Sequence, residues 1–144
     1  MIIETKENFI KKLKLNSNIN RFIFAKTLFA ISKMPSEKFL ILVANTIMNR
    51  FVYESELCDG TVDIVNVLTS FDCWKNLKVM DEIDTTNNCF KKCLKISGDV
   101  LSGKLDKRFS LVLYFHKKSE SHLLTNKIKP KFVVDDFSFF DVYV

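Results

Sequence analysis

Phe29-Ala30-Ile31-Ser32-Lys33-Met34-Pro35-Ser36-Glu37-Lys38-Phe39-Leu40-Ile41-Leu42 is the stretch on which the reading of the fold turns. Pro35 lacks an N–H and has a fixed φ, so Pro35-Ser36-Glu37 interrupts whatever regular structure precedes it. Residues 27–34 before the interruption read as a strand that stops there. Residues 39–44 after it are continuously apolar, as in a strand buried on both faces. The stretch therefore predicts strand, turn, strand.

Working outward, the same pattern continues. Residues 49–57 alternate, with Phe51, Tyr53, Ser55 and Leu57 on one face and Val52, Glu54 and Glu56 on the other. Asp59-Gly60 reads as a turn, because Gly accepts positive φ without a Cβ clash. Residues 62–68 predict one more strand, and consecutive strands with short connections imply an antiparallel meander. Upstream, Ile2-Ile3 opens a short strand. Residues 6–25 read as one helix with Phe9, Leu13, Ile19, Phe22 and Ile23 on its apolar side and Lys11, Lys12, Lys14 and Arg21 exposed. Asn16-Ser17-Asn18 is a weak helix former, and a break there is the alternative.

Downstream, Thr85 or Thr86 after Asp84 predicts the N-cap of a second helix. Cys89, Phe90, Cys93 and Leu94 share one face, with Lys91, Lys92 and Lys95 nearly opposite, and Ser97-Gly98 predicts the end. Residues 100–105 read as a short strand. Phe109, Leu111, Leu113 and Phe115 alternate with Ser110, Val112, Tyr114 and His116, residues 127–134 form another strand, and residues 137–144 are an aromatic tail. The order is strand, helix, strands, then helix, strands. It predicts an α+β domain with two helices packed on one face of antiparallel sheets, in a twofold strand-helix-strands repeat.

Composition bounds what such a domain does. The 144 residues carry 47% hydrophobic residues and only 3 Gly and 2 Pro, which argues against a disordered or loop-dominated chain and against enzyme sites built on glycine-rich loops. No apolar run approaches the roughly 20 residues of a membrane span. Cys58, Cys73, Cys89 and Cys93 follow no secretory leader, so they read as free thiols in a reducing compartment, cytosolic or nuclear. The net charge of +5 suits an anionic partner.

The chemistry-bearing patterns are thin. Gly98-x-x-x-x-Gly103-Lys104 is the nearest match to a phosphate-binding loop, but Leu105 stands where that loop needs Ser or Thr, and the strand-to-helix order is reversed. Cys89 and Cys93 lie on one helical face, with Cys58 and Cys73 isolated and His116 and His122 in another segment, so a four-ligand zinc site is not expected. Asp81, Glu82 and Asp84 read as a solvated helix lead-in, and Asp135-Asp136 as a strand end. No catalytic group, metal or cofactor is expected, and the chain does not read as an enzyme. The lysines differ: two helices with basic outer faces on one side of a sheet make a patch suited to sequence-independent phosphate contact.

The stretch 29–42 resembles the second and third strands of the Hus-one family, a subunit of the checkpoint sliding clamp. Tyr53-Glu54-Ser55-Glu56-Leu57 is similar to that family's next strand, and Asp84-Thr85-Thr86-Asn87-Asn88-Cys89-Phe90-Lys91-Lys92-Cys93-Leu94-Lys95 to its second helix. Lys104-Leu105 with residues 109–115 resembles the following hairpin, and residues 124–133 the strand closing the first domain. The resemblance implies a PCNA-like DNA-clamp fold over residues 1–134, with 135–144 similar to the start of an interdomain connector. It implies a nuclear, non-catalytic subunit of the heterotrimeric nine-one-one ring. Such a ring encircles double-stranded DNA, is placed there by a clamp loader, and serves as a platform for checkpoint and repair factors. The residues expected to face DNA are Lys11, Lys12, Lys14, Arg21, Lys91, Lys92 and Lys95. A second reading is a protein-interaction module that never touches DNA and uses Phe137, Phe139, Phe140 and Tyr143 as a partner-binding tail.

Overall fold

α3, Glu37–Leu57, is the helix around which the other elements gather. It belongs to a computed structural model that describes residues 5–120 and 125–143. Leu42 through Asn49 are eight consecutive buried residues, so α3 is covered on every side rather than along one stripe. α2 (Asn18–Ile31), α4 (Ile64–Thr69) and α6 (Asn88–Leu101) pack against it, and so does the sheet. α1 (Lys6–Leu13) and α5 (Leu77–Asp81) complete the helices, with single 3₁₀ turns at Asp72–Lys75 and Lys107–Phe109.

The sheet is small and antiparallel. β1 (Tyr114–Lys117) and β2 (Phe132–Val134) both pair with β3 (Phe137–Phe140), in the order β1-β3-β2. Phe115 lies opposite Phe139, and so does Phe132 from the other side. Phe39 of α3 meets Phe137 at 4.7 Å and Phe139 at 6.0 Å between ring centres, which joins helix to sheet. Aromatic pairs in such offset or edge-on geometries add about 0.5–1.5 kcal/mol beyond the area they bury.

The α+β class holds; most of the strands expected in the first half do not. Residues 27–34 lie largely in α2, residues 39–44 and 49–57 are one helix, and residues 62–68 fall mainly in α4. Two physical facts decide this. Between residues 44 and 49 there is no Gly or Pro to turn a meander, and Ser36 caps a helix: its Oγ accepts the Phe39 N–H at 3.2 Å. Asp63, expected inside a strand, caps α4 by accepting from the Val65 N–H at 2.9 Å. The helix expected over residues 6–25 is broken at the weak segment: Lys14 takes a left-handed backbone (φ 50°), and Ser17 caps α2 by accepting from the Asn20 N–H.

The second helix begins at Asn87 rather than Thr85 or Thr86, and it runs through Gly98 to Leu101. Gly103, at φ 88°, marks the true stop. At the Asp59-Gly60 turn it is Asp59 that takes positive φ. Residues 100–105 are helix end and loop, and the alternating segment forms strand only from Tyr114 onward. Ile2-Ile3 and His122 lie outside the described residues.

Two buried asparagines of α3 fix the segment that leads into the sheet. Asn45 Oδ1 accepts the Asp106 N–H at 2.8 Å. Asn49 Nδ2 donates to the carbonyls of Phe109 (2.8 Å) and Val112 (2.9 Å), and its Oδ1 accepts from Lys6 Nζ at 3.0 Å. Lys6 Nζ also donates to the Ser110 carbonyl. Among the described residues no buried side-chain nitrogen or oxygen lacks a partner.

Candidate nucleic-acid interface

The predicted basic residues come from three segments that the fold brings together. α2 packs chiefly on α6, and the two run antiparallel: Phe29 meets Phe90 near the start of α6, whereas Arg21 lies over Gly98 near its end. A Cβ on Gly98 would stand 3.3 Å from Arg21 Cδ, so the bare glycine lets the arginine stem lie close across the helix. The α1–α2 connection is tied to the same end by Asn16 Nδ2, which donates to Ser102 Oγ at 2.9 Å. α1 docks beside it. A Cβ on Gly103 would meet the Glu7 carbonyl oxygen at 2.8 Å and Lys11 Cγ at 2.9 Å.

α6 itself is amphipathic. Phe90, Cys93, Ser97, Val100 and Leu101 are buried, and burial pushes the Cys93 thiol up to about 12, so it behaves as a small apolar side chain. Lys91, Lys92 and Lys95 are exposed. At about 100° per residue, Lys91 and Lys95 point about 40° apart and Lys92 about 100° from Lys91, all on one side. Gly98 falls next to Lys91 on this wheel, so Arg21 flanks that row. In α1, α2 and α6 the eight basic residues Lys6, Lys11, Lys12, Arg21, Lys26, Lys91, Lys92 and Lys95 face only two acids, Glu7 and Asp99. That difference of +6 exceeds the +5 of the whole chain, so the positive charge is concentrated on this group of helices.

Their settings differ. Lys11, Lys12 and Lys14 are exposed, and Arg21 is half-buried with its guanidinium donating to Asn18 Oδ1 at 2.9 Å. Lys26 Nζ sits 4.8 Å above the Phe22 ring. Lys6 turns inward to Asn49, and burial pushes its ammonium below the ordinary lysine range. The helices expected to lie on the sheet instead lie on α3 and on one another.

A cleft of about 530 Å³ adjoins this face, and no pattern in the sequence flagged it. Lys95, Lys104 and Lys107 line it, together with Ile41, Ile96 and Leu105. Asp106, also in the lining, is held by the Arg108 fork at 2.6–3.2 Å, which keeps its carboxyl below the usual carboxylate range. A wider opening of about 980 Å³ is lined by Met34, Lys33, Lys117, Lys118, Asp135 and Asp136, and by none of the predicted lysines.

The aromatic tail is placed in the fold rather than beside it. Phe137, Phe139 and Phe140 are buried in the middle strand, and Tyr143 donates to Glu54 Oε1 at 2.9 Å under the Arg50 guanidinium. β3, Phe137–Phe140, lies within the segment 135–144 expected as the start of an interdomain connector, and it pairs with both other strands of the sheet. Among the described residues no cluster of three or more His, Cys, Asp or Glu could hold a metal. The ring nitrogens of His116 contact the Lys117 carbonyl and Thr125 Oγ1, neither of them a nucleophilic thiol. No described helix is long and apolar enough to cross a membrane. Compared with protein-family models, curated proteins and solved structures, the chain matches none.

Proposed function

We propose that the protein is a non-catalytic nucleic-acid-binding protein whose α1–α2–α6 face contacts the phosphate backbone without reading sequence. The observation that carries the reading is the concentration of exposed lysines on helices packed side by side, with Arg21 laid across Gly98. Lysine ammonium groups neutralise phosphates as point charges, so affinity falls steeply with salt and varies little with base sequence.

Double-stranded DNA is the partner expected from the sequence. Membership of a nuclear heterotrimeric checkpoint clamp is a narrower form of the same reading. It draws on strands at residues 27–44, where the chain forms two helices, so the basic face supports binding and gives no support to a ring. Co-purification with two clamp-type subunits and a clamp loader would support the narrower form; a different stable partner would remove it.

The direct test is Lys91→Glu with Lys92→Glu. Both side chains are exposed, so thermal unfolding should not change. Affinity for duplex DNA should fall at least tenfold at 50 mM salt, and the slope of log affinity against log salt should shrink by about two. Unchanged affinity and slope in a folded variant would sink this assignment.

A further inference from the structure

We propose that the cleft beside Lys95 takes one nucleotide of an unpaired strand lying on the basic face. This rests on the reading above and narrows it to single-stranded nucleic acid. The volume of about 530 Å³ falls in the range of small-ligand sites, roughly 300–1,000 Å³. Its two kinds of wall match the two halves of a nucleotide. Ile41, Ile96 and Leu105 are partly exposed apolar surface, suited to the face of a base. Lys95, Lys104 and Lys107 bring ammonium groups from α6 and the loop after it, suited to the phosphate.

The acids in the lining do not undo this. Asp106 is already neutralised by the Arg108 fork. Glu37 and Asp99 accept and never donate when ionised, which matches the exocyclic amino groups of bases. Lys95 belongs both to the exposed lysine row and to the cleft, so a backbone tracking that row arrives at the opening. A duplex cannot use the cleft without unpairing and unstacking a nucleotide, whereas a single strand gives one up at little cost.

The experiment compares a labelled 12-nucleotide single strand with a blunt duplex of the same sequence by fluorescence anisotropy at 50 mM salt. The unmodified protein should bind the strand at least tenfold more tightly. Lys104→Glu with Lys107→Glu should remove that preference, lowering strand affinity at least tenfold and duplex affinity less than threefold, with thermal unfolding unchanged. Equal loss for both ligands, or no loss for the strand, would overturn the cleft assignment while leaving the basic face intact. Displacement of the strand by free mononucleotide at equal nucleotide concentration would assign the cleft to a small ligand and overturn it too. Binding of neither ligand would remove the basic-face reading along with the cleft.

Discussion

Asn49 shows how much one side chain carries. It is buried in α3, and both ends of its amide are used: two donated bonds to the backbone of residues 109 and 112, and one accepted from Lys6. Truncation takes the amide donor from the buried Val112 carbonyl, whereas the Phe109 carbonyl still accepts the Val112 N–H and Lys6 still donates to the Ser110 carbonyl. One buried unsatisfied group costs about 1–3 kcal/mol. Asn49→Ala should therefore lower stability by about 1–3 kcal/mol in urea unfolding; a change within about 0.5 kcal/mol would show that water replaces the amide freely. In the sequence Asn49 was counted at the edge of an alternating strand. Its role was not legible, because its partners are backbone atoms some 60 residues away in the chain. The exposed lysines and the buried Phe90 and Cys93 of α6 were legible, because a helix face depends only on residues three and four apart.

At the scale of elements, the cap at Ser36 explains both why residues 39–44 are helix rather than strand and a link across the fold. Pro35-Ser36-Glu37 reads as a strand stop, yet a serine cap followed by an acidic first residue is also a helix start. An apolar run such as 39–44 does not separate buried helix from buried strand by its period, since every face is apolar in either case. Length separates them, and α3 runs 21 residues without a turn signal. Ser36 also reaches the sheet: its N–H and Oγ both donate to Asp135 Oδ2, at 2.9 and 3.2 Å, in the β2–β3 turn where Asp135 has φ 55°. Ser36→Ala removes the cap and one of those bonds and should cost about 0.5–2 kcal/mol. Ser36→Asp keeps a capping oxygen but sets it against Asp135, so it should not restore full stability. Full recovery in thermal melts would show that the tie to Asp135 contributes nothing.

For the molecule as a whole, the helical layer and the sheet answer to one another through α3. Deleting residues 137–144 takes out the only strand among the described residues that β1 and β2 pair with, along with Phe137 and Phe139 from the face of Phe39. Complete burial of a Phe stabilises by about 1.5–3 kcal/mol, so losing the three buried Phe of β3 removes about 4.5–9 of the 5–15 kcal/mol typical of a domain. The shortened chain should lose its cooperative thermal transition; a sharp transition near that of the full chain would show that the helices fold alone. The order of pairing also bears on how the protein is made. β1 and β2 do not pair with each other, and β3 follows both in sequence. Until β3 is in place, β1 and β2 have no strand to pair with, and Phe39 lacks the Phe137 and Phe139 rings. Translation adds about 5–20 residues per second, whereas helix formation takes microseconds or less. Sheet formation thus waits for residues 137–140, and until they dock the side of Phe39 that they cover stays open.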